Sequence, residues 1–155
     1  MQYPPELVVT LTTLVVVAVT VVFHYEVIQL LDRWCTRKER QPHIAFKNRP
    51  TILAVMFTLL LAHVFEIWLF GLAFWLLLQE GQHGAIVGYS DINLLDCVYF
   101  SAATYTTVGW GEMYATGNIR FLAGTEALLG FMIITWSASF GYLIMQRTFG
   151  RNADY

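Results

Sequence analysis

The chain has 155 residues, 57% of them hydrophobic and only 13% charged, with a net charge of −2. A soluble globular domain carries about a quarter of its residues as charged side chains, so this composition excludes an ordinary water-soluble fold. Three apolar stretches hold the excess, roughly 7–31, 51–79 and 120–146, and each reaches the ~20 residues a helix needs to cross a bilayer.

The expectation is an all-α membrane protein. Six of the nine basic residues (Arg33, Arg37, Lys38, Arg40, Lys47, Arg49) follow the first stretch, and Arg147 and Arg151 follow the last. The positive-inside rule then places the 32–50 connector and the C-terminus in the cytoplasm. The N-terminus and the 80–119 segment lie outside a cell (plasma or inner) membrane crossed several times, an alternation that three spans also demand. A cleaved signal peptide carries its basic residues before the apolar run, and here they come after it. Cys35 and Cys97 fall on opposite sides of the membrane, so no disulfide framework is implied.

Residues 7–31 form the first predicted span. Valine and threonine are poor helix formers in water, but in lipid the backbone must bond to itself. The span has no arginine ladder, which excludes a voltage sensor. His24 and Glu26 are placed near its inner end, as solvated residues reaching the interface. The 32–50 connector is too short to bind nucleic acid. It reads as a topology signal with an attraction for anionic lipid over 33–49. His43, Ala45 and Phe46 are placed along the membrane surface, and Pro50 suits the first turn of the next helix.

The second span, 51–79, carries Trp68 and Trp75 in one half, as in an aromatic belt. His63 and Glu66 lie deep in it, three residues apart on one face. Such a pair is costly in lipid unless it faces protein. It reads first as a hydrogen-bonded clamp to a neighbouring helix and second as a proton-sensitive regulatory site. A haem site using His24 and His63 is a distant alternative, because the two are placed at different depths.

Residues 80–91 are Gly-rich and polar and read as an external loop with a solvated His83. Asn93 followed by Asp96 resembles a capping box that opens a helix over 93–105. That helix is ~18 Å long, enough to enter the membrane but not to cross it. The negative end of its dipole would face the membrane interior, where a cation benefits from it. A re-entrant segment needs protein or water around it, which calls for oligomerisation.

Residues 106–112 read Thr-Thr-Val-Gly-Trp-Gly-Glu. Gly109 and Gly111 tolerate φ > 0, so successive carbonyls can point the same way. Copies of this strand around an axis would stack rings of oxygen able to replace the hydration shell of a cation. The last span, 120–146, holds Gly130, read either as a close-packing site or as a hinge. Ser137, Ala138, Ser139 and Gly141 give it a small-residue face, and Glu126 is expected to bond behind the 106–112 loop.

TTVGWGE, preceded by LLDCVYFSAATY and followed by EALLG, resembles the pore signature of the potassium channel family, whose filter usually reads TTVGYGD. The resemblance covers roughly 51–147. It implies an N-terminal unit over 1–50, a pore domain over 51–147 and a short cytoplasmic tail over 148–155, too short for a regulatory domain. It also implies that the carbonyls of Thr107, Val108, Gly109 and Trp110, with the Thr107 hydroxyl, hold K⁺, with Gly111 completing the filter. Four chains would close the ring as a homotetramer. Trp110 and Glu112 stand where the family usually has Tyr and Asp. Ala103 stands where some bacterial members carry a buried carboxyl partner, and Tyr99 and Phe100 stand where many carry two tryptophans. The reading is that Thr106, Glu112, Tyr99, Phe100 and Ala103 support the filter. Trp110 would be matched by Ala103 or Phe100, and Glu112 would be held by the Tyr99 hydroxyl. The implied function is passive potassium conduction, with a weakly selective Na⁺/K⁺ channel as the alternative. No enzyme activity is implied, nor any cofactor beyond the permeant potassium ions.

Overall fold

The computed structural model describes residues 4–39 and 48–150. In chain order these form α1 (Pro5–Glu39), α2 (Asn48–Gln79), β1 (Gly84–Val87), α3 (Leu94–Tyr105), β2 (Tyr114–Gly117) and α4 (Ile119–Gly150). The centre of the basic connector, with His43, Ala45 and Phe46, and the end of the C-terminal tail lie outside the described residues. α1, α2 and α4 are each long and apolar enough to cross a membrane, and the chain is a membrane protein.

α1 starts at Pro5, where a missing N–H costs nothing, and Leu7 N–H closes its first turn on the Pro4 carbonyl at 3.0 Å. Two of its threonines satisfy themselves as lipid requires. Thr13 donates to the Val9 carbonyl and Thr10 to the Glu6 carbonyl, both at 2.7 Å. At 1.5 Å per residue its 35 residues extend about 50 Å, well beyond a hydrocarbon layer of about 30 Å. The helix continues past the predicted end at residue 31, with Arg37 and Lys38 in its last turn, where cations suit the dipole. This moves His24 away from the end of the helix. It is fully buried, which corrects its placement as a solvated end residue.

α1 lies against α2 and α4, and α3 is wedged between α2 and α4. Lipid tails are as apolar as side chains, so close packing rather than water exclusion must hold these helices together. Two glycines permit the closest approaches. A Cβ on Gly71 would lie 2.8 Å from the Val98 Cα, and one on Gly130 would lie 2.2 Å from the Tyr105 carbonyl oxygen. Phe70, Phe74, Cys97, Phe100 and Leu122 fill the core near α3, together with Val9 and Val16. A second core of Ile28, Leu31, Val55, Leu59, Phe140 and Ile144 fills the other end. The outward faces stay apolar and exposed, as at Leu14, Val22, Leu61, Phe65, Leu128 and Phe131.

The predicted external loop is partly a strand. β1 pairs antiparallel with β2, Ile86 opposite Ala115 and Val87 opposite Tyr114. The β-branched pair Ile86-Val87 alternates buried and exposed, the pattern of a half-buried strand. This small sheet joins the chain before α3 to the chain after residues 106–112. His83 is buried, at 3% exposure, contrary to its reading as solvated. Its Nε2–H donates to the Glu80 carboxylate at 2.7 Å, and its carbonyl accepts the Ile119 N–H at 3.0 Å, so it fastens the start of α4.

Candidate ion-coordinating loop and the network behind it

α3 aims the 106–112 loop. Its capping box is present: the Asn93 side chain accepts from Leu95 N–H and Asp96 N–H, and Asp96 accepts from Asn93 N–H at 2.9 Å. At the other end the loop folds back onto the helix. Thr106, Thr107 and Gly109 donate their N–H groups to the carbonyls of Ala102, Thr104 and Ala103 at 3.2, 2.9 and 3.1 Å. Those carbonyls would otherwise be orphaned at the helix end.

Every second residue of the loop is then left-handed: Thr107 at φ +59°, Gly109 at +51° and Gly111 at +80°. Alternation of this kind turns successive peptide planes so that their carbonyls face one side. Glycine adopts it freely, whereas Thr107 accepts a cost of roughly 1–2 kcal/mol. Among the described residues no hydrogen bond is accepted by a carbonyl of residues 106–111, while three of the loop's N–H groups are engaged. Residues 106–112 are exposed in the single chain, Trp110 at 69% and Val108 at 52%.

The predicted supports fall as follows. Glu112 Oε2 accepts from the Tyr99 hydroxyl at 3.3 Å and from the Tyr89 hydroxyl at 3.4 Å. Tyr89 escaped notice because it lies in the Gly-rich segment, far from Glu112 in sequence. Phe100 is turned into the core, edge-on to Phe74 at 5.1 Å. Ala103 acts through its backbone carbonyl. Thr106 donates its hydroxyl to the Ala102 carbonyl. Behind α3, the Ser101 hydroxyl lies within hydrogen-bond distance of both the Ile67 carbonyl on α2 and the Glu126 carboxyl on α4. One serine thus joins three helices.

Below Tyr105 a buried polar network joins all four helices. His24 Nδ1 is 2.8 Å from Glu66 Oε1, and the Tyr105 hydroxyl donates to Glu66 Oε2. His63 Nδ1 lies 3.0 Å from the Tyr105 oxygen and 3.4 Å from Glu66 Oε2. Ser137 Oγ lies 3.0 Å from His24 Nε2. His24 and His63 therefore sit at one depth, with ring centroids 5.4 Å apart, which corrects their separation in the sequence reading. Both face one carboxylate, and that spacing leaves no room for a macrocycle between them.

Residues 51–146, more than half of the chain, match a family model described as "Ion channel". The chain belongs to this ion channel family. The matched region is the two-span domain of the potassium channel type, and it holds α2, α3, the 106–112 loop and nearly all of α4. No curated protein and no solved structure matches the channel chain significantly. α1 precedes the matched region, and the network around Glu66 is the buried polar part of its contact with α2, α3 and α4. The sequence offered no direct signal for that network, since the partners stand 42 and 113 residues from His24.

Proposed function

We propose that the chain is one subunit of a homotetrameric channel that conducts potassium passively. The observation that carries the reading is the alternation of left-handed Thr107, Gly109 and Gly111, with the loop's carbonyls left without hydrogen-bond donors. Four such loops around an axis would present the carbonyls of Thr107, Val108, Gly109 and Trp110, with the Thr107 hydroxyl, as stacked rings for a dehydrated K⁺. The exposure of residues 106–112 in the single chain supports a face completed by neighbouring subunits. The C-terminus of α3 directs partial negative charge toward the inner end of this path.

The charge distribution supports an external N-terminus, a cytoplasmic C-terminus and a basic 33–49 connector resting on anionic lipid. The test is flux of K⁺ and of Na⁺ into liposomes holding the purified protein, with barium as blocker. Potassium-selective, barium-sensitive flux is expected, and no flux of either ion in folded protein would overturn the proposal. A weakly selective cation channel is the second reading. Among the described residues, Glu112 is held by two long hydroxyl contacts at the exposed rim, which favours a looser filter. A reversal potential near zero under biionic K⁺/Na⁺ conditions would select it.

A further inference from the structure

The network below Tyr105 has the composition of a metal site. Ligand atoms of His24, His63 and Glu66 all lie within 4.8 Å of one another. The closest approaches are 2.8 Å from His24 Nδ1 to Glu66 Oε1 and 3.4 Å from His63 Nδ1 to Glu66 Oε2. The Tyr105 oxygen stands 3.0 Å from His63 Nδ1. Donors about 2.0–2.1 Å from a tetrahedral zinc-class ion sit roughly 3.3 Å apart. These three approaches lie within about half an ångström of that edge, and the other separations among His24, His63 and Glu66 stay inside 4.8 Å.

Two independent features agree. A histidine that ligates a metal through one ring nitrogen engages the other with a hydrogen-bond partner that fixes its tautomer. His24 presents Nδ1 to the cluster and holds Ser137 Oγ with Nε2 at 3.0 Å. There is also a route inward. A cleft of about 400 Å³, lined by Met56, Leu60, His63, Ile134, Ser137 and Gly141, leads to His63, whose side chain is 17% exposed. Charge points the same way, since a carboxylate at this depth needs a cation and no Lys or Arg among the described residues pairs with Glu66.

We propose that His24 Nδ1, His63 Nδ1, the Glu66 carboxylate and the Tyr105 oxygen bind a divalent transition metal of the zinc class. Two imidazoles with two oxygens disfavour Mg²⁺ and Ca²⁺, which take oxygen ligands. On binding, each imidazole carries its proton on Nε2, and that of His24 donates to Ser137. The phenol proton that bonds Tyr105 to Glu66 passes to bulk water through the cleft at His63, so carboxylate and phenolate together balance the ion's two charges. The metal fastens α1 and α2 to the last residue of α3. The site stands or falls independently of conduction.

The test uses tag-free full-length protein in detergent, stripped with chelator, loaded with Zn²⁺ or Co²⁺ and passed through gel filtration. One Zn²⁺ per chain is expected. Co²⁺ should give the visible absorption of a tetrahedral nitrogen–oxygen site, lost on adding Zn²⁺. Glu66→Gln and His63→Asn should each lower retained metal at least tenfold in protein that keeps its elution profile. Wild-type protein with neither stoichiometric Zn²⁺ nor a tetrahedral cobalt band has only a hydrogen-bonded clamp there. That result overturns the proposal whatever the variants do. Undiminished metal in a correctly eluting His63→Asn protein overturns it as well.

Discussion

A methyl group on Gly130 would meet the carbonyl oxygen of Tyr105 at 2.2 Å. α4 is therefore pressed at Gly130 against the end of α3, where the 106–112 loop begins. α4 runs unbroken from Ile119 to Gly150. Close approach is thus a physical reason for a glycine at this position. Gly130→Ala gains up to ~1 kcal/mol of helix propensity but forces the two helices apart, at a cost of about 1–3 kcal/mol. The substitution should lower the thermal midpoint of the assembled protein and reduce flux. A variant as stable and active as the parent would mean that this contact is not tight.

The 106–112 loop ends at Glu112, which the Tyr99 and Tyr89 hydroxyls hold. Its two hydroxyl partners are each exposed, so each is worth about 1 kcal/mol at most. Tyr99→Phe and Tyr89→Phe should each speed the decay of K⁺ flux or change barium block, with a larger effect in the double variant. Unchanged conductance, selectivity and block in the double variant would show that Glu112 needs neither hydroxyl.

Much of this molecule was legible in its sequence. Hydropathy gave the three spans, because lipid leaves a backbone few alternatives to helix. Asn93 and Asp96 marked the start of α3, and Gly109 and Gly111 marked where the chain turns left-handed. The misreadings came from long-range partners. His24 looked terminal because apolar residues stop near position 31, yet the helix continues through Arg37 and Lys38. His83 looked solvated because its neighbours are polar, but it is buried beside β1, bonded to Glu80 and to the start of α4. Glycines at both ends of β1 hid its pairing with β2.

The Tyr105 phenol serves Glu66 as donor and His63 as partner. Tyr105→Phe removes both interactions while keeping the ring, and leaves a buried carboxylate short of a donor. A loss of about 1–3 kcal/mol is expected, read as a lower thermal midpoint by circular dichroism. A midpoint equal to that of the parent would show that the network does not stabilise the fold.

The Arg147–Asp32 pair offers a contrast. Its 3.0 Å contact joins side chains that are each about half exposed, at 48% and 44%. Exposed pairs contribute about 0–1 kcal/mol. Arg147→Ala should move the midpoint far less than Tyr105→Phe does, and a comparable shift would place this pair in a drier setting than its exposure implies.

The central claim is that the carbonyls of residues 107–110 conduct potassium, and Gly109 tests it most directly. At φ +51° a side chain there costs roughly 1–2 kcal/mol, enough to disturb the alternation without touching the helices. Ion-resolved flux should be compared in liposomes holding the parent or Gly109→Ala, each shown to elute as the same assembly. Barium-sensitive potassium flux in the parent, lost or stripped of its preference over sodium in the variant, is the predicted result. Potassium flux of equal size and selectivity in both proteins would contradict the account.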